Sequence, residues 1–340
     1  MQAIVECVPN FSEGQNMDVI DAIVERIAYL ILEDLDNVRQ GIYPLPSELQ
    51  VGNQVSAQAL GAVTKEFLDM LDFGAQGTYI RQDGARSSTT HPSSYFQQLA
   101  QGVDNLPDYY VNDFHSVEGG FLAPEHVSVY DALSEFVFLG THFMARRMML
   151  PPIVAAIRGM KSRGEMDGNL RLLDVGTGTG SFLTQAFEAL GDSVEFYGID
   201  LSPAMITHAK KICNRAGFAA KLKQANMEEI PEADESFDFV THSNCFHEMP
   251  ESAIRNAANE FARILKPGGL FVHHDAVQMV DDPSVAELAR PLFDKNFNEP
   301  FMWDWQRKVD LDEIMAEAGL IPAQAPKPLY ASCVRVYRKE

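Results

Sequence analysis

A chain of 340 residues is long enough for about two domains, and a hydrophobic fraction of 46% allows each a sizeable core. The charge is unusual, because 48 acidic residues against 27 basic ones give a net charge of −21. Such a surface repels nucleic-acid phosphates and anionic membrane faces, so neither is expected as a partner.

The four cysteines stand far apart, at positions 7, 213, 245 and 333, with no Cys-x-x-Cys pair among them. This spacing fits neither a disulfide framework nor a zinc site, and it favours a reducing compartment. The first residues, MQAIVE, lack the basic and apolar regions of a signal peptide, and no run of ~18 apolar residues occurs. We therefore expect a cytoplasmic protein without a membrane span.

The N-terminal half is predicted to be mostly helical. Apolar residues recur at helical spacing within residues 55–75 and again within 127–149. Pro151 and Pro152 are expected to stop or kink the second helix, and the polar residues 161–168 to form a linker. Residues 1–160 would thus form one unit, and 165–340 a second one.

The second unit has a different pattern, in which short apolar runs alternate with helical stretches. The predicted strands are 171–175, 194–199, 219–224, 237–242 and 270–275, and the helices between them are 181–190, 203–216 and 251–265. This alternation is typical of a parallel sheet with helices on both faces, a Rossmann-like α/β fold. A further helix at 311–319 and a strand at 331–338 would add a last antiparallel strand.

A glycine-rich segment is the strongest motif, since residues 172–182 read LLDVGTGTGSF. Glycines after a strand let the backbone bend sharply and approach a ligand closely. Dinucleotide sites use Gly-x-Gly-x-x-Gly, which would require glycine where this chain has Ser181. The spacing here is Gly-x-Gly-x-Gly, with Asp174 two residues before the first glycine.

Two later segments fit a nucleoside. Asp200 follows the second strand, and its two carboxylate oxygens match the two hydroxyls of a ribose. Its alternative role, capping the next helix, suits Ser202 better. Residues 224–228 read QANME, where a polar side chain beside an apolar one suits the amine and the ring face of an adenine.

The order of five segments resembles class I S-adenosylmethionine-dependent methyltransferases, in particular quinone-biosynthesis-type enzymes and their uncharacterised relatives. The segments are LLDVGTGTGSF, YGIDLSPAMITHAKK, QANMEEIPEADESFDFV, SNCFHEMP and ILKPGGLFV. The resemblance implies S-adenosylmethionine as cofactor and a set of residues that would hold it: Asp174, Gly176, Thr177, Gly178, Gly180, Asp200, Leu201, Asn226, Met227 and Ser243. One departure is Asn226, where the family usually has aspartate, although the amide oxygen is still an acceptor.

The acceptor is expected beyond the carboxyl ends of the strands. His247 is a candidate base, because an unperturbed histidine titrates near neutral pH, although packing against the cofactor is an equally good interpretation. Glu248 is interpreted as a capping acid for the helix at 251, and Asp275 either orients the acceptor or ends its strand. His273 and His274 alternate faces on a strand, so they do not chelate together and no metal is predicted.

The stretch before the glycine loop, from about residue 107, resembles the helical lid of some uncharacterised bacterial and plastid-type methyltransferases, and NFNEP at 296–300 also resembles that group. Its aromatic residues would line an apolar acceptor site, in which His115 and Tyr130 are further catalytic candidates. Tyr109, Glu135 and Arg147 are candidate substrate contacts. The alternative interpretation is that the rings belong to a core and that Arg146 and Arg147 form a solvated pair.

The first 27 residues or so resemble the start of glutamate formiminotransferases, through VECVPNFSEG at 5–14 and VIDAI at 19–23. Such a short piece cannot build a folate site, so no activity is inferred from it.

These observations predict methyl transfer to a small-molecule acceptor, with O-methylation of an apolar or aromatic metabolite preferred over transfer to sulfur or nitrogen. A nicotinamide-dependent oxidoreductase is disfavoured by Ser181, and a non-catalytic protein that binds the nucleoside cofactor stays open. The helical N-terminal region could also pair two chains into a homodimer.

Overall fold

The computed structural model describes residues 17–44, 92–103, 105–138, 140–166, 168–283, 299–329 and 331–340. Within them, one eight-stranded sheet organises the chain. Its strands are β1 (Leu170–Val175), β2 (Val194–Asp200), β3 (Lys221–Gln224), β4 (Phe237–Ser243), β5 (Leu265–Ala276), β6 (Leu320–Pro322), β7 (Lys327–Pro328) and β8 (Ser332–Lys339).

The strand order is β3-β2-β1-β4-β5-β8-β6, and β7 pairs with β8. Strands β1 to β5 run parallel, whereas β8 pairs antiparallel with both β5 and β6. The sequence order reverses between β1 and β4, so a crevice opens beyond their carboxyl ends, where open α/β sheets bind ligands. The predicted Rossmann-like sheet and its last antiparallel strand are confirmed.

The described helices fall before, between and after these strands. They are α1 (Met17–Arg39), α2 (Ser94–Ala100), α3 (Pro124–Val137), α4 (His142–Arg147), α5 (Leu150–Arg163), α6 (Ser181–Leu190), α7 (Pro203–Arg215), α8 (Glu251–Ile264), α9 (Met302–Arg307) and α10 (Leu311–Glu317). Short 3-10 turns occur at Asp108–Tyr110, Phe114–Ser116, Gly120–Leu122, Gly191–Ser193 and Phe246–Glu248.

Alternation along the strands divides the interior into two cores. In β1, Leu173 packs with α8 and α10 on one face, and Leu172 packs with α5, α6 and α7 on the other. Because successive strand side chains point to opposite faces, a strand such as β1, which has apolar side chains on both faces, must be covered by helices on both sides.

The helix before Pro151 and Pro152 ends as predicted, because α4 stops at Arg147. The two prolines lie in the first turn of the next helix, α5, where a missing N–H costs nothing. The predicted linker at 161–168 starts too early, because α5 continues to Arg163 and ends at Gly164, whose φ of +70° suits a helix C-cap.

Some predicted features lie outside the described residues, namely the helical pattern at 55–75 and the residues 5–14 that resemble formiminotransferases. Among the described helices, none is long and apolar enough to cross a membrane.

Helix α1 is tied to the rest of the chain by a buried ion pair between Asp34 and Arg147. Tyr43 donates a hydrogen bond to the same carboxylate, at 2.8 Å, and its ring lies 4.8 Å from the Arg147 guanidinium carbon. Arg147 is 2% exposed and therefore is not the solvated residue of the alternative interpretation. Asp34 is 113 positions away in the chain, and a sequence pattern does not predict a contact over such a separation.

Replacing Asp34 with Ala should lower the free energy of unfolding by about 3–5 kcal/mol, because it leaves Arg147 buried and unpaired. Denaturant unfolding measures this loss. Asp36→Ala is the matched control, since Asp36 lies on the same helix with its side chain 50% exposed, and we expect a change below about 0.5 kcal/mol. A cost under about 1 kcal/mol for Asp34→Ala would show that the pair does not anchor α1.

Three buried histidines lie side by side at the ends of β4 and β5. The Nδ1 atoms of His242 and His273 are 3.1 Å apart, and His274 Nδ1 lies 2.9 Å from the Ser243 hydroxyl on the other face. Burial lowers the pKa of His242 to about 4 and that of His274 to about 3, and it holds the pKa of His273 well below its usual range. All three rings are therefore neutral in the folded protein at neutral pH.

Replacing His242 with Phe should make the protein less sensitive to acid. Below pH ~6.5 the unfolded chain protonates residue 242 whereas the folded chain does not until pH ~4, so the wild type loses stability in this window. The free energy of unfolding of the variant, relative to wild type, should rise by roughly 2 kcal/mol between pH 7.5 and 4.5. Other groups, including the buried carboxyls, titrate in both proteins, so the difference in free energy of unfolding between variant and wild type isolates His242. If this difference does not change with pH, the neutral state of His242 is contradicted.

Candidate active site

The glycine loop and Asp200 share one crevice at the carboxyl ends of β1 and β2. Gly178 N donates to Asp200 Oδ2 at 2.9 Å, and Ser202 N donates to Asp200 Oδ1 at 2.8 Å. The Ser202 side chain caps α7 by accepting a hydrogen bond from Met205 N, as predicted. The carboxylate is thus held by backbone donors instead of serving as the helix cap.

Two glycines of the loop leave space for close packing. A Cβ at Gly176, where φ is +65°, would lie 2.5 Å from Cys245 Sγ, a distance that atoms do not tolerate. A Cβ at Gly180, where φ is +82°, would lie 3.2 Å from the Cα of Ala209 on α7. The first glycine therefore leaves room for the Cys245 side chain beside the loop, and the third lets α6 approach α7.

A first cavity of about 940 Å³ opens beside this loop. Eight of the ten predicted cofactor residues line it: Asp174, Gly176, Thr177, Gly178, Asp200, Leu201, Met227 and Ser243. Gly180 and Asn226 are not among the lining residues. The Asn226 side-chain oxygen instead accepts a hydrogen bond from Glu228 N at 3.0 Å, so it shapes the turn after β3.

Two carboxyl groups face the first cavity. Asp174 is buried and accepts a hydrogen bond from the Thr241 hydroxyl at 2.8 Å. Burial raises the pKa of Asp174 to about 6 and that of Asp200 to about 6. Arg146 also lines the cavity, with its Nη1 3.7 Å from the Asp131 carboxylate. The first cavity is therefore lined both by a guanidinium group, that of Arg146, and by the carboxyl groups of Asp174 and Asp200.

Residues that precede the sheet cover the first cavity. Tyr109 donates to Glu228 Oε1 at 2.8 Å, and Ser181 donates to Asp131 Oδ2 at 2.6 Å. Ser202 donates to the Phe121 carbonyl at 2.6 Å. The rings of Tyr110, Phe114 and Phe121 complete the wall. Three side-chain contacts thus join the covering segment to the strands' carboxyl ends.

A second cavity of about 900 Å³ adjoins the first, and Tyr130, His142, Asn244 and Glu248 line both. Its apolar wall comes from α3, from the residues just beyond it, and from α4, β5 and α9. The apolar lining residues are Leu133, Val137, Phe138, Ala145, Ala276, Met302 and Ala331. An apolar molecule placed there would lie next to the contents of the first cavity.

Three polar side chains, here called the His115 cluster, meet at one side of the second cavity. His115 Nε2 lies 3.1 Å from Glu248 Oε1 and 3.6 Å from Glu299 Oε1. Burial raises the pKa of Glu248 to about 8 and that of Glu299 to about 7, whereas burial lowers the pKa of His115. The backbone of His115 has a φ of +58°, a strained conformation for a non-glycine residue that is common at functional sites.

His247 lines the second cavity but is paired with Asp275. Burial works against its charged form, yet the adjacent Asp275 carboxylate and its hydrogen bond raise the pKa of His247 to about 10. The same contact holds the pKa of Asp275 below its usual range. The pairing with Asp275 favours the protonated form of the ring, which argues against His247 as a base, and its catalytic role stays a prediction.

Asp275 orders the loop after β4. Besides pairing with His247, it accepts hydrogen bonds from Phe246 N at 2.9 Å and from Cys245 N at 3.2 Å. Asp275 lines neither cavity, and its contacts stabilise the loop after β4. Glu248 is not a capping acid, because α8 begins after Pro250 without a side-chain cap.

The remaining predicted residues divide between the two cavities and the interior. His115 and Tyr130 line the second cavity, and Tyr109 lines the first. Glu135 lines neither, since its carboxylate accepts a hydrogen bond from Phe143 N at 2.5 Å, and Arg147 is turned toward Asp34.

Sequence reasoning missed Arg146 and Glu299. From the sequence, Arg146 is named only as one half of a solvated pair with Arg147, although it is only 8% exposed in the structure. Glu299 lies within NFNEP at 296–300, one of the segments that resembles the methyltransferase group, and that resemblance was the available signal.

Comparison with known proteins finds similarity for the part of the chain that contains the glycine loop and Asp200. Residues 172–269 match the model of a family described as a methyltransferase domain. The ubiquinone/menaquinone biosynthesis C-methyltransferase of Bartonella henselae is 26% identical over 196 residues, which cover 56% of this chain and 65% of that protein, just under two thirds. A demethylmenaquinone methyltransferase of Staphylococcus aureus is 28% identical over 212 residues, which cover 56% of this chain and 80% of that protein.

Among solved structures, an S-adenosylmethionine-dependent methyltransferase from Aquifex aeolicus aligns with a TM-score of 0.46 and 19% identity. The alignment covers 64% of this chain and 99% of that one.

Replacing Asp200 with Ala should weaken the binding of S-adenosylhomocysteine by at least about a hundredfold, because hydrogen bonds to a charged acceptor are lost. Isothermal titration calorimetry measures this change. Asp192→Ala, at an exposed position of the same domain, should bind as wild type does. Unchanged affinity of a folded Asp200→Ala protein would exclude Asp200 from the nucleoside site.

Proposed function

Because this chain belongs to the class I S-adenosylmethionine-dependent methyltransferases, we propose that it methylates a small molecule held in the second cavity. The observation that carries the proposal is the wall shared by the two cavities, formed by Tyr130, His142, Asn244 and Glu248. A cofactor in the first cavity and an acceptor in the second would meet at this wall. Methyl transfer requires such a direct approach of the acceptor atom to the methyl carbon.

In this proposal the cofactor lies along the first cavity. Asp200 accepts the ribose hydroxyls, Met227 covers the adenine, and the glycine loop adjoins the methionine part. Arg146 is the one buried arginine that lines this cavity among the described residues, and it suits the cofactor's carboxylate, because guanidinium and carboxylate groups pair readily. Bound S-adenosylmethionine supplies a methyl group that is already electrophilic, so the protein's task is to orient the acceptor and to exclude water.

We further propose that the segment from Asp108 through Arg147 acts as the lid of this site, within the larger unit of residues 1–160. The proposal is supported by the contacts of Tyr109, Asp131 and Phe121 with the strand-end loops. Side chains of the same segment also form much of the second cavity, so the lid would both enclose the cofactor and shape the acceptor site.

The acceptor in this proposal has an apolar, partly aromatic body and one hydroxyl group. The apolar walls of the second cavity suit the body, and the His115 cluster offers hydrogen-bond partners for a single polar group. The hydroxyl oxygen forms the new bond to the methyl carbon, the bond from that carbon to sulfur breaks with its electron pair left on sulfur, and the hydroxyl proton leaves to solvent.

A second candidate is transfer to a ring carbon beside the hydroxyl. It is favoured by the name of one relative, a C-methyltransferase of ubiquinone and menaquinone biosynthesis. The same cavity suits both outcomes, because a phenolate carries negative charge on its oxygen and on the neighbouring ring carbons. In the second outcome the ring carbon bonds to the methyl carbon, the bond from that carbon to sulfur breaks with its electron pair left on sulfur, and the hydrogen of the ring carbon leaves to solvent as a proton.

The test is turnover with a panel of phenols, hydroquinones and aliphatic alcohols, followed by mass spectrometry and NMR of the products. A methyl ether as product supports O-methylation, and a new carbon–methyl bond supports the second candidate. If S-adenosylhomocysteine binds but no acceptor class or metabolite extract is methylated, the proposed methyl transfer is contradicted.

Replacing Val137 with Phe should raise the KM for the acceptor at least about tenfold, because the added ring occupies the second cavity and a clash of this size costs about 1–3 kcal/mol. Steady-state kinetics give the KM, and calorimetry should show unchanged binding of S-adenosylhomocysteine. The control is Val280→Phe, since Val280 is 81% exposed and should leave both values unchanged. An unaltered KM in Val137→Phe would place the acceptor elsewhere.

A further inference from the structure

We infer that the His115 cluster is a binding site for one divalent cation of the first transition series, which holds the acceptor oxygen. The inference rests on the proposed function for the acceptor, but the cation site itself rests on three side chains. His115, Glu248 and Glu299 each offer one ligand atom, and these atoms lie within 4.8 Å of one another. This inference is opposite to the prediction from the sequence, which is that no metal binds.

The spacing of the ligand atoms fits a coordination shell. Adjacent ligands of an octahedral ion with bonds of about 2.1 Å are about 3.0 Å apart, and in a tetrahedral zinc site they are about 3.4 Å apart. The two contacts of His115 Nε2, at 3.1 Å and 3.6 Å, match these separations. The separations between His115 and the two carboxylates are therefore those of neighbouring ligands around one ion.

Glu299 supplies an independent sign of a missing partner. It is 4% exposed and lines the second cavity, yet its Oε2 atom is buried and has no hydrogen-bond partner within the described part of the chain. A buried carboxylate oxygen without a partner is costly, and proteins normally satisfy it with a donor or a cation. The second oxygen of Glu299 is therefore available as a ligand.

The local charges also favour a divalent ion. Binding of a cation requires Glu248 and Glu299 to be ionised, and the combined charge of the two carboxylates then equals that of one divalent cation. The neighbouring His247, 3.8 Å from Glu248, is itself paired with Asp275. An imidazole with two carboxylates suits manganese, iron or zinc better than the all-oxygen sites preferred by magnesium or calcium.

Three protein ligands leave positions open for the acceptor. Because Glu248 also lines the first cavity, an oxygen bound to the cation would lie beside the cofactor. The cation would favour loss of the hydroxyl proton to solvent, as it does for a bound water molecule, and the resulting oxyanion would attack the methyl carbon. The cation would keep its oxidation state and its three protein ligands throughout this step.

The test uses the full chain without a histidine tag, stripped with a chelator and dialysed. Titration with Mn²⁺, followed by the EPR signal of the free ion, should show one bound equivalent per chain. Glu299→Gln and His115→Asn should each weaken binding at least about tenfold. Asparagine suits residue 115 because it tolerates the left-handed backbone conformation found there, so this variant should keep the fold.

Glu313→Gln is the control, since Glu313 is exposed on α10 and should bind Mn²⁺ as wild type does. Binding of S-adenosylhomocysteine shows that each variant is folded. The inference is overturned if wild type binds no Mn²⁺ and no Zn²⁺, or if both cluster variants bind as tightly as wild type, which would indicate adventitious surface acids.

A methylation assay separates this inference from the proposed function. Full methylation by the stripped protein in the presence of chelator would overturn the cation site and leave the proposed function intact. Stoichiometric binding that both variants lose, in a protein that methylates no acceptor, would contradict the proposed function alone.

Discussion

The hydrogen bonds that Asp200 accepts from Gly178 and Ser202 determine the geometry of the rest of the site. They join the loop after β1 to the end of β2, so the crevice between these neighbouring strands has a fixed width. Position 176 requires glycine because its φ is positive and because Cys245, in the loop after β4, approaches it closely. Three strand ends are thus packed around one cavity, and every side chain that reaches this cavity is positioned relative to them.

The second cavity depends on the first for its position. Glu248 belongs to the loop after β4, which Asp275 holds by two backbone amides and by the His247 ring. The same loop also places Asn244 between the cavities, with a backbone φ of +54°. A loop that is fixed by a buried carboxylate keeps its polar side chains in place without help from a ligand, and such preorganisation lowers the cost of binding.

The parts of the site that the sequence predicts are those encoded within short segments. The glycine loop, Asp200 and Met227 each follow a strand, and a strand followed by a turn is visible as a local pattern. Arg147 and Glu299 were missed or misplaced because their partners lie far away in the chain. On the short helix α4, neighbouring residues differ by about 100° in direction, so Arg146 faces the first cavity while Arg147 faces Asp34. No periodicity in six residues distinguishes the two.

The hydrogen bonds of Tyr109, Ser181 and Ser202 join the segment before the sheet to the loops at the carboxyl ends of the strands. Side chains of this one segment line both cavities, so a movement that breaks these bonds would change both spaces together. Under the proposed function, release of the demethylated cofactor and exchange of the acceptor would then be coupled events.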